Sequence, residues 1–163
     1  MKLGLVGCGF VADQYIATLD AHPHLSLEGV YDRNAERARA FAECHGQRCY
    51  ESLEALLADD IDLVLNLTNP RSHAEVTSRA LMAGKHVYSE KPLAMSMADA
   101  DRLLDLAEKN HRTIAVAPCS ALSPAAQTLW KALKDDAIGT VRVVYANFDD
   151  GMIAPNQKPW GWQ

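Results

Sequence analysis

The stretch Leu3-Gly4-Leu5-Val6-Gly7-Cys8-Gly9-Phe10-Val11-Ala12 decides the fold. Residues 3–6 form a short apolar run that reads as a buried strand, and they lead directly into a Gly-x-Gly-x-x-Ala turn. That turn opens a helical pattern over residues 10–21, which ends near His22-Pro23. A glycine pair means little alone, but between a strand and a helix it has a job. Gly7 allows the tight turn, and Gly9 lets a pyrophosphate approach the backbone. Ala12 is small enough for close helix–strand packing. The helix start then turns its N–H groups and partial positive charge to the phosphates, and Phe10 and Val11 count with the turn as cofactor-binding residues.

Outward from this turn, short apolar runs alternate with helical patterns. Residues 25–31 form the next strand candidate. Asn34 can cap a helix whose inward face carries Ala38, Phe41 and Ala42, with Gly46 as its stop. Ser52 can cap a short helix through Leu57. Residues 61–67, counted as the fourth strand, are the most strand-like run in the chain. A helix over 72–83 stopped by Gly84 and a short strand at 86–89 come next. Ser96-Met97-Ala98-Asp99 resembles a capping box, opening a helix with Met97, Ala100, Leu103, Leu104 and Ala107 on one face. Residues 113–117 close the series as a sixth strand. Continuous apolar strands separated by helices predict an α/β fold, a doubly wound parallel sheet covered on both faces.

After Pro118 the pattern changes. A helix is expected over 124–133, a turn at Ile138-Gly139 and a long strand of alternating type over 141–148. Such a strand cannot bury its apolar face by itself. The reading is therefore a Rossmann-type domain over 1–120. Residues 121–163 then hold a connecting helix and the first strand of an incomplete α+β domain, with Trp160 and Trp162 lacking a core.

Composition narrows the function. Of 163 residues, 48% are hydrophobic and 23% charged, as in an ordinary globular protein. Sixteen basic against twenty-one acidic residues leave a net charge of -5, which argues against a nucleic-acid partner. Cys8, Cys44, Cys49 and Cys119 form no Cys-x-x-Cys pair, so free thiols rather than a metal site are expected. No run reaches transmembrane length and no signal peptide opens the chain, so the expectation is a cytoplasmic protein without a membrane partner.

The second strand ends at Asp32, about twenty residues beyond Ala12, where a carboxylate accepts hydrogen bonds from the adenosine ribose hydroxyls. It would repel a 2′-phosphate, which favours NAD over NADP. Arg33 keeps NADP open, since a guanidinium can pair with that phosphate or stack on adenine. Farther on, Asn66-Leu67-Thr68-Asn69-Pro70 sits at the carboxyl end of a strand, where open parallel sheets bind ligands. His73, Gly84-Lys85-His86-Val87 and Glu90-Lys91-Pro92 follow. Taken alone, Glu90-Lys91 is an ion pair in a solvated loop before a proline.

Together these residues closely resemble the Gfo/Idh/MocA family, named after glucose–fructose oxidoreductase and inositol dehydrogenase. The resemblance covers essentially the whole chain: the glycine turn, a Thr-x-Pro-like segment with trailing His73, the Ala-Gly-Lys-His-Val stretch and the Glu-Lys-Pro signature. It implies a two-domain, usually homo-oligomeric dehydrogenase moving hydride between a nicotinamide and a secondary alcohol or ketone of a sugar or cyclitol. Lys91 matches the family's active-site lysine, which contacts the reacting hydroxyl and assists its proton transfer. A partly desolvated lysine beside a positive nicotinamide suits that work. Glu90 would orient it, and Pro92 matches a proline often preceded by a cis bond. Thr68, Asn69, Pro70 and His73 match the nicotinamide-ribose side of the cleft.

The chain departs from the family at Pro118-Cys119-Ser120, where many members carry an aromatic residue or an Asn-Arg pair. The Asp and His that members commonly supply from the second domain would lie beyond Gln163. A chain of 163 residues is then expected to bind cofactor without turning over a sugar. The alternatives are a stand-alone dinucleotide-binding module without catalysis and a methylase-like fold using the same turn for an adenosyl cofactor, in which Lys91-Pro92 has no purpose.

Overall fold

The computed structural model describes residues 1–118 and 120–147. Along the chain run β1 (Lys2–Val6), α1 (Phe10–Leu19), β2 (Ser26–Tyr31), α2 (Ala35–Cys44), α3 (Leu53–Ala58) and β3 (Leu63–Asn66). There follow α4 (Pro70–Met82), β4 (His86–Ser89), α5 (Met97–Lys109) and β5 (Ile114–Val116). A 3-10 turn (Ser120–Leu122) and α6 (Pro124–Lys134) come last. The strands form one parallel sheet in the order β2-β1-β3-β4-β5. The chain winds outward from β1 to β2, then restarts on the other side of β1 with β3. That reversal is the switch point of a doubly wound, Rossmann-type sheet.

Side chains alternate along each strand, so the sheet carries a core on each face. Leu3, Leu5, Val30 and Leu65 pack with Ala12 of α1 and with Phe41 and Ala42 of α2. Val6, Val64 and Val87 pack on the other side with Leu53, Leu56 and Leu57 of α3, Val76, Ala80 and Leu81 of α4, and Leu103 and Ala107 of α5. The caps follow the chemistry of their residues. Asn34, Ser52 and Ser96 each accept a hydrogen bond from the backbone N–H three residues on. Gly46 and Gly84 both take positive φ after helices.

Four expectations are corrected. The described sheet has five strands, not six: residues 61–67 hold its third and 113–117 its fifth. The segment after α2 meets the outer edge of β2 through one isolated bridge, Val30 to Cys49. The Val30 N–H donates to the Arg48 carbonyl at 2.8 Å, and the Tyr50 N–H to the Val30 carbonyl at 2.9 Å. Ser52 then caps α3, which leaves no room for a second rung.

Helix α4 begins at Pro70 rather than 72, because proline is pre-organised for the first helical position and has no N–H to leave unpaired. On α5, Leu103 and Ala107 are buried and Leu106 packs against them, whereas Met97 is 75% and Leu104 54% exposed. The buried stripe is narrower and turned by a residue from the expected face. Residues 141–147 form no strand, since a strand needs a ladder and these residues pair with none among the described ones. Val143, Val144 and Tyr145 are all exposed, so neither parity of that segment is buried. Phe148, Trp160 and Trp162 lie outside the described residues.

By contacts the chain divides into two units, Met1–Pro118 and Cys119–Gln163. In the second, α6 is capped by Ser123 and opened by Pro124, with Leu129, Trp130 and Leu133 exposed. No helix among the described residues is long and apolar enough to cross a membrane.

Candidate cofactor and active site

A single row crosses the sheet at its carboxyl edge: Tyr31, Val6, Asn66, Ser89 and Val116 lie in register. The ladder runs one residue further, with the N–H groups of Gly7, Leu67, Glu90 and Ala117 donating to the carbonyls of Tyr31, Val6, Asn66 and Ser89. Every sequence-predicted site residue follows this row. Parallel strands point their carboxyl ends the same way, which brings the turns after β1, β2, β3 and β4 to one edge.

The two glycines of the first turn answer to different demands. Gly7 has φ +100°, and a Cβ there would lie 2.6 Å from the Leu67 carbonyl group, so the fold itself requires glycine. Gly9 has φ -95° as the N-cap of α1, a conformation open to any residue. A Cβ there would meet nothing within 4 Å. Ala12, fully buried, seals α1 against the sheet. No side chain caps α1, and the Ala12 N–H turns back to the Gly9 carbonyl at 2.9 Å. Cys8 between the glycines is buried, and burial pushes its thiol up to about 12, which removes it as a nucleophile.

Asp32 is buried, not solvated. Its Oδ2 accepts the Cys8 N–H at 2.9 Å and its Oδ1 the Asn34 N–H at 2.8 Å. The Arg37 guanidinium stands 3.6 Å from Oδ2. Each carboxylate oxygen keeps a second lone pair, so Asp32 can brace the glycine turn and still accept a ribose hydroxyl. Arg33 is exposed.

After β3, Asn66 organises the loop. Fully buried, it donates from Nδ2 to the His73 carbonyl at 3.0 Å and to Thr77 Oγ1 at 3.1 Å. Its Oδ1 accepts the Thr68 hydroxyl at 2.7 Å. Asn69 and Pro70 start α4, with Asn69 exposed. His73 is 1% exposed, with Nδ1 2.6 Å from the Pro92 carbonyl and Nε2 2.9 Å from the Thr68 carbonyl. Carbonyls only accept, so the ring donates to one loop as a neutral tautomer and to both as a cation. His73 is thus a clamp between the turns after β3 and β4, and its ring does not line an open cleft as expected.

Glu90 and Lys91 are not an ion pair. Glu90 Oε1 accepts the Tyr15 hydroxyl at 2.8 Å, and Oε2 accepts the backbone N–H of Lys91 at 3.1 Å. The Lys91-Pro92 bond is cis. Lys91 itself is exposed rather than partly desolvated. The sequence reading left out Tyr15, and placed Asn66 in the ligand-binding segment without a role of its own. Asn66 had a signal, a polar residue ending the most apolar strand. Tyr15 had none beyond its place one and a half turns into α1.

Comparisons with known proteins bear on this edge. Residues 1–117 match a family described as an oxidoreductase family with an NAD-binding Rossmann fold, Gfo/Idh/MocA. A dTDP-3,4-didehydro-2,6-dideoxy-alpha-D-glucose 3-reductase from Streptomyces violaceoruber is 37% identical over 150 residues, 91% of this chain and 44% of its own length. A UDP-N-acetylglucosamine 3-dehydrogenase from Acidithiobacillus ferrooxidans is 35% identical over 136 residues, covering 81% of this chain and 41% of its own length. Among solved structures, a 3-ketoreductase from Actinomadura kijaniata in complex with NADP superposes with a TM-score of 0.76 at 30% identity. That match covers 85% of this chain and 45% of the ketoreductase. The chain therefore spans less than half the length of these relatives.

Proposed function

This chain belongs to the Gfo/Idh/MocA oxidoreductase family, and on that premise we propose that it is the cofactor-holding part of an NAD(P)-dependent sugar oxidoreductase. The observation that carries the reading is Gly9. The fold does not need glycine there, for its φ is ordinary and a Cβ would touch nothing. The open space beside it, at the uncapped start of α1, suits a pyrophosphate on the backbone.

In this reading Gly7, Gly9, Phe10, Val11 and Ala12 supply the phosphate turn. Asp32 receives the adenosine ribose, with NAD as the preferred form, while Arg33 and Arg37 stand where they could meet a 2′-phosphate. Thr68, Asn69, Pro70 and His73 border the nicotinamide end, Thr68 and His73 through the loop they hold rather than by free polar groups. The bound nicotinamide supplies or takes the hydride. Lys91 holds or gives a proton at Nζ as the substrate oxygen passes between hydroxyl and carbonyl. Glu90 fixes the backbone from which Lys91 projects. Relatives named as 3-reductase, 3-dehydrogenase and 3-ketoreductase support a ring secondary alcohol or ketone as the substrate group.

The test is a fluorescence titration of the 163-residue chain with NADH and with NADPH. Saturable binding, tighter for NADH, is expected, together with no sugar turnover by this chain alone. Absence of saturable binding by either would overturn the site. Lys91→Ala should leave binding nearly intact, and in the full-length enzyme it should slow hydride transfer severely.

A further inference from the structure

Adjacent Glu90 and Lys91 have every local reason to pair, yet among the described residues no ion pair joins them. Both carboxylate oxygens are engaged elsewhere, by the Tyr15 hydroxyl and by the Lys91 backbone N–H. The Lys91 ammonium has no hydrogen-bond or ionic partner among the described residues. Tyr15 belongs to α1, the helix that starts at the glycine turn. Its ring packs edge-on against Tyr88 of β4 with centroids 6.0 Å apart, which sets the hydroxyl at Glu90. The Glu90 backbone is held separately, its N–H donating to the Asn66 carbonyl at 2.9 Å, and His73 holds Pro92. Only the Glu90 side chain is left free to choose between Tyr15 and Lys91.

We propose that Tyr15 is a positioning residue that captures the Glu90 carboxylate and so keeps the neighbouring Lys91 amine unpaired for the reacting hydroxyl. This rests on the reading of Lys91 as the proton-handling residue. Burial first, and then the hydrogen bond to Glu90, push the phenol well above its ordinary range, so it stays a donor at working pH. Without that donor the carboxylate can swing to the adjacent ammonium. A lysine held in an ion pair gives up its proton less readily and reacts more slowly as an amine.

The test is trace acetylation of the chain at neutral pH with a neutral amine-selective ester, with Lys91 labelling read by mass spectrometry against Lys109. Tyr15→Phe keeps the ring on Tyr88 but removes the donor. It should slow Lys91 labelling roughly threefold, the scale that an exposed ion pair supports. Adding Glu90→Gln to Tyr15→Phe should restore the rate, because an amide cannot neutralise the ammonium. Glu90→Gln alone should leave the rate unchanged, since the wild-type carboxylate is not on the lysine. An unchanged rate in Tyr15→Phe, no restoration in the double variant, or faster labelling in Glu90→Gln alone would each overturn the proposal. The last measurement stands even if Tyr15→Phe fails to fold. None of these rates depends on cofactor, so a chain that binds no NADH would sink the functional reading and leave this result legible.

Discussion

The carboxylate of Asp32 accepts the backbone N–H of Cys8 at 2.9 Å, so the acid just past β2 also closes the glycine turn after β1. Asp32→Ala should therefore fail twice. Removing the acceptor leaves the buried Cys8 N–H unpaired, at a cost of about 1–3 kcal/mol. Losing a charged partner for the ribose hydroxyls should weaken NADH binding roughly tenfold or more. With Arg33 and Arg37 left in place, NADPH binding should fall less than NADH binding. Urea denaturation and paired titrations check both halves, and equal losses for the two cofactors would remove Asp32 from discrimination.

The glycines should separate cleanly. Gly7→Ala places a Cβ 2.6 Å from the Leu67 carbonyl group at a φ of +100°. Strain and clash together should cost at least about 2 kcal/mol. Gly9→Ala meets no protein atom and keeps an allowed φ of -95°. It should hold or raise stability by about 0.4–1 kcal/mol, because the unfolded chain loses freedom. The same variant should lose most of its NADH affinity. A destabilised Gly9→Ala, or one that binds normally, would contradict the division of roles.

His73→Leu fills similar volume but donates to neither carbonyl. With the donor shared by the Thr68 and Pro92 carbonyls gone, a loss of about 1–3 kcal/mol is expected in urea unfolding. Amide exchange should accelerate in the loop after β4, around Leu93. A local effect there separates the clamp from general core damage, which would speed exchange throughout α4.

Asp59 gives a pH signature away from the site. The Asp60 backbone N–H, then the Tyr50 hydroxyl and Arg48, hold its carboxyl below the ordinary value of 3.8. Burial, and with it the hydrogen bond to Asp59, pushes the Tyr50 phenol up to about 12. A lowered native value stabilises the fold wherever the unfolded chain has already ionised. Asp59→Asn should therefore be less stable than wild type above pH 3.8. That gap should shrink as pH falls through the lowered native value and close below it. Thermal melts across the acid range check the sign, and a gap that widens on acidification would refute it.

Much of the fold was legible because it depends on local chemistry. Glycine, asparagine and serine at Gly7, Gly46, Asn34, Ser52 and Ser96 do at close range what their side chains, or lack of them, permit. The apolar runs of β1 and β3 need no partner to be recognised. What was missed depends on neighbours distant in sequence. Leu104 and Leu106 are chemically alike, and only the angle at which α5 meets the sheet decides which one packs. Val141, Val143 and Tyr145 alternate like a strand, but alternation does not supply a ladder. The Arg48–Tyr50 stub was hidden because one bridge leaves no periodicity.

The site divided along the same line. Gly7, Gly9 and Asp32 announce themselves by spacing, whereas the destination of the Glu90 carboxylate is set by Tyr15, far upstream on another element. The adjacent lysine was the reasonable partner from sequence and is not the one taken.

The row Tyr31–Val6–Asn66–Ser89–Val116 has a thermodynamic consequence. Residues that meet at this edge come from turns scattered along the chain, and no contiguous peptide reproduces their geometry. A ligand held there recognises only the folded chain, so occupancy and folding share one equilibrium. At a hundredfold excess over its Kd, such a ligand would add about 2.7 kcal/mol to the unfolding free energy by mass action alone. The melting temperature of this protein should therefore read out its own cofactor, rising with concentration and rising furthest for the form that fits the edge best.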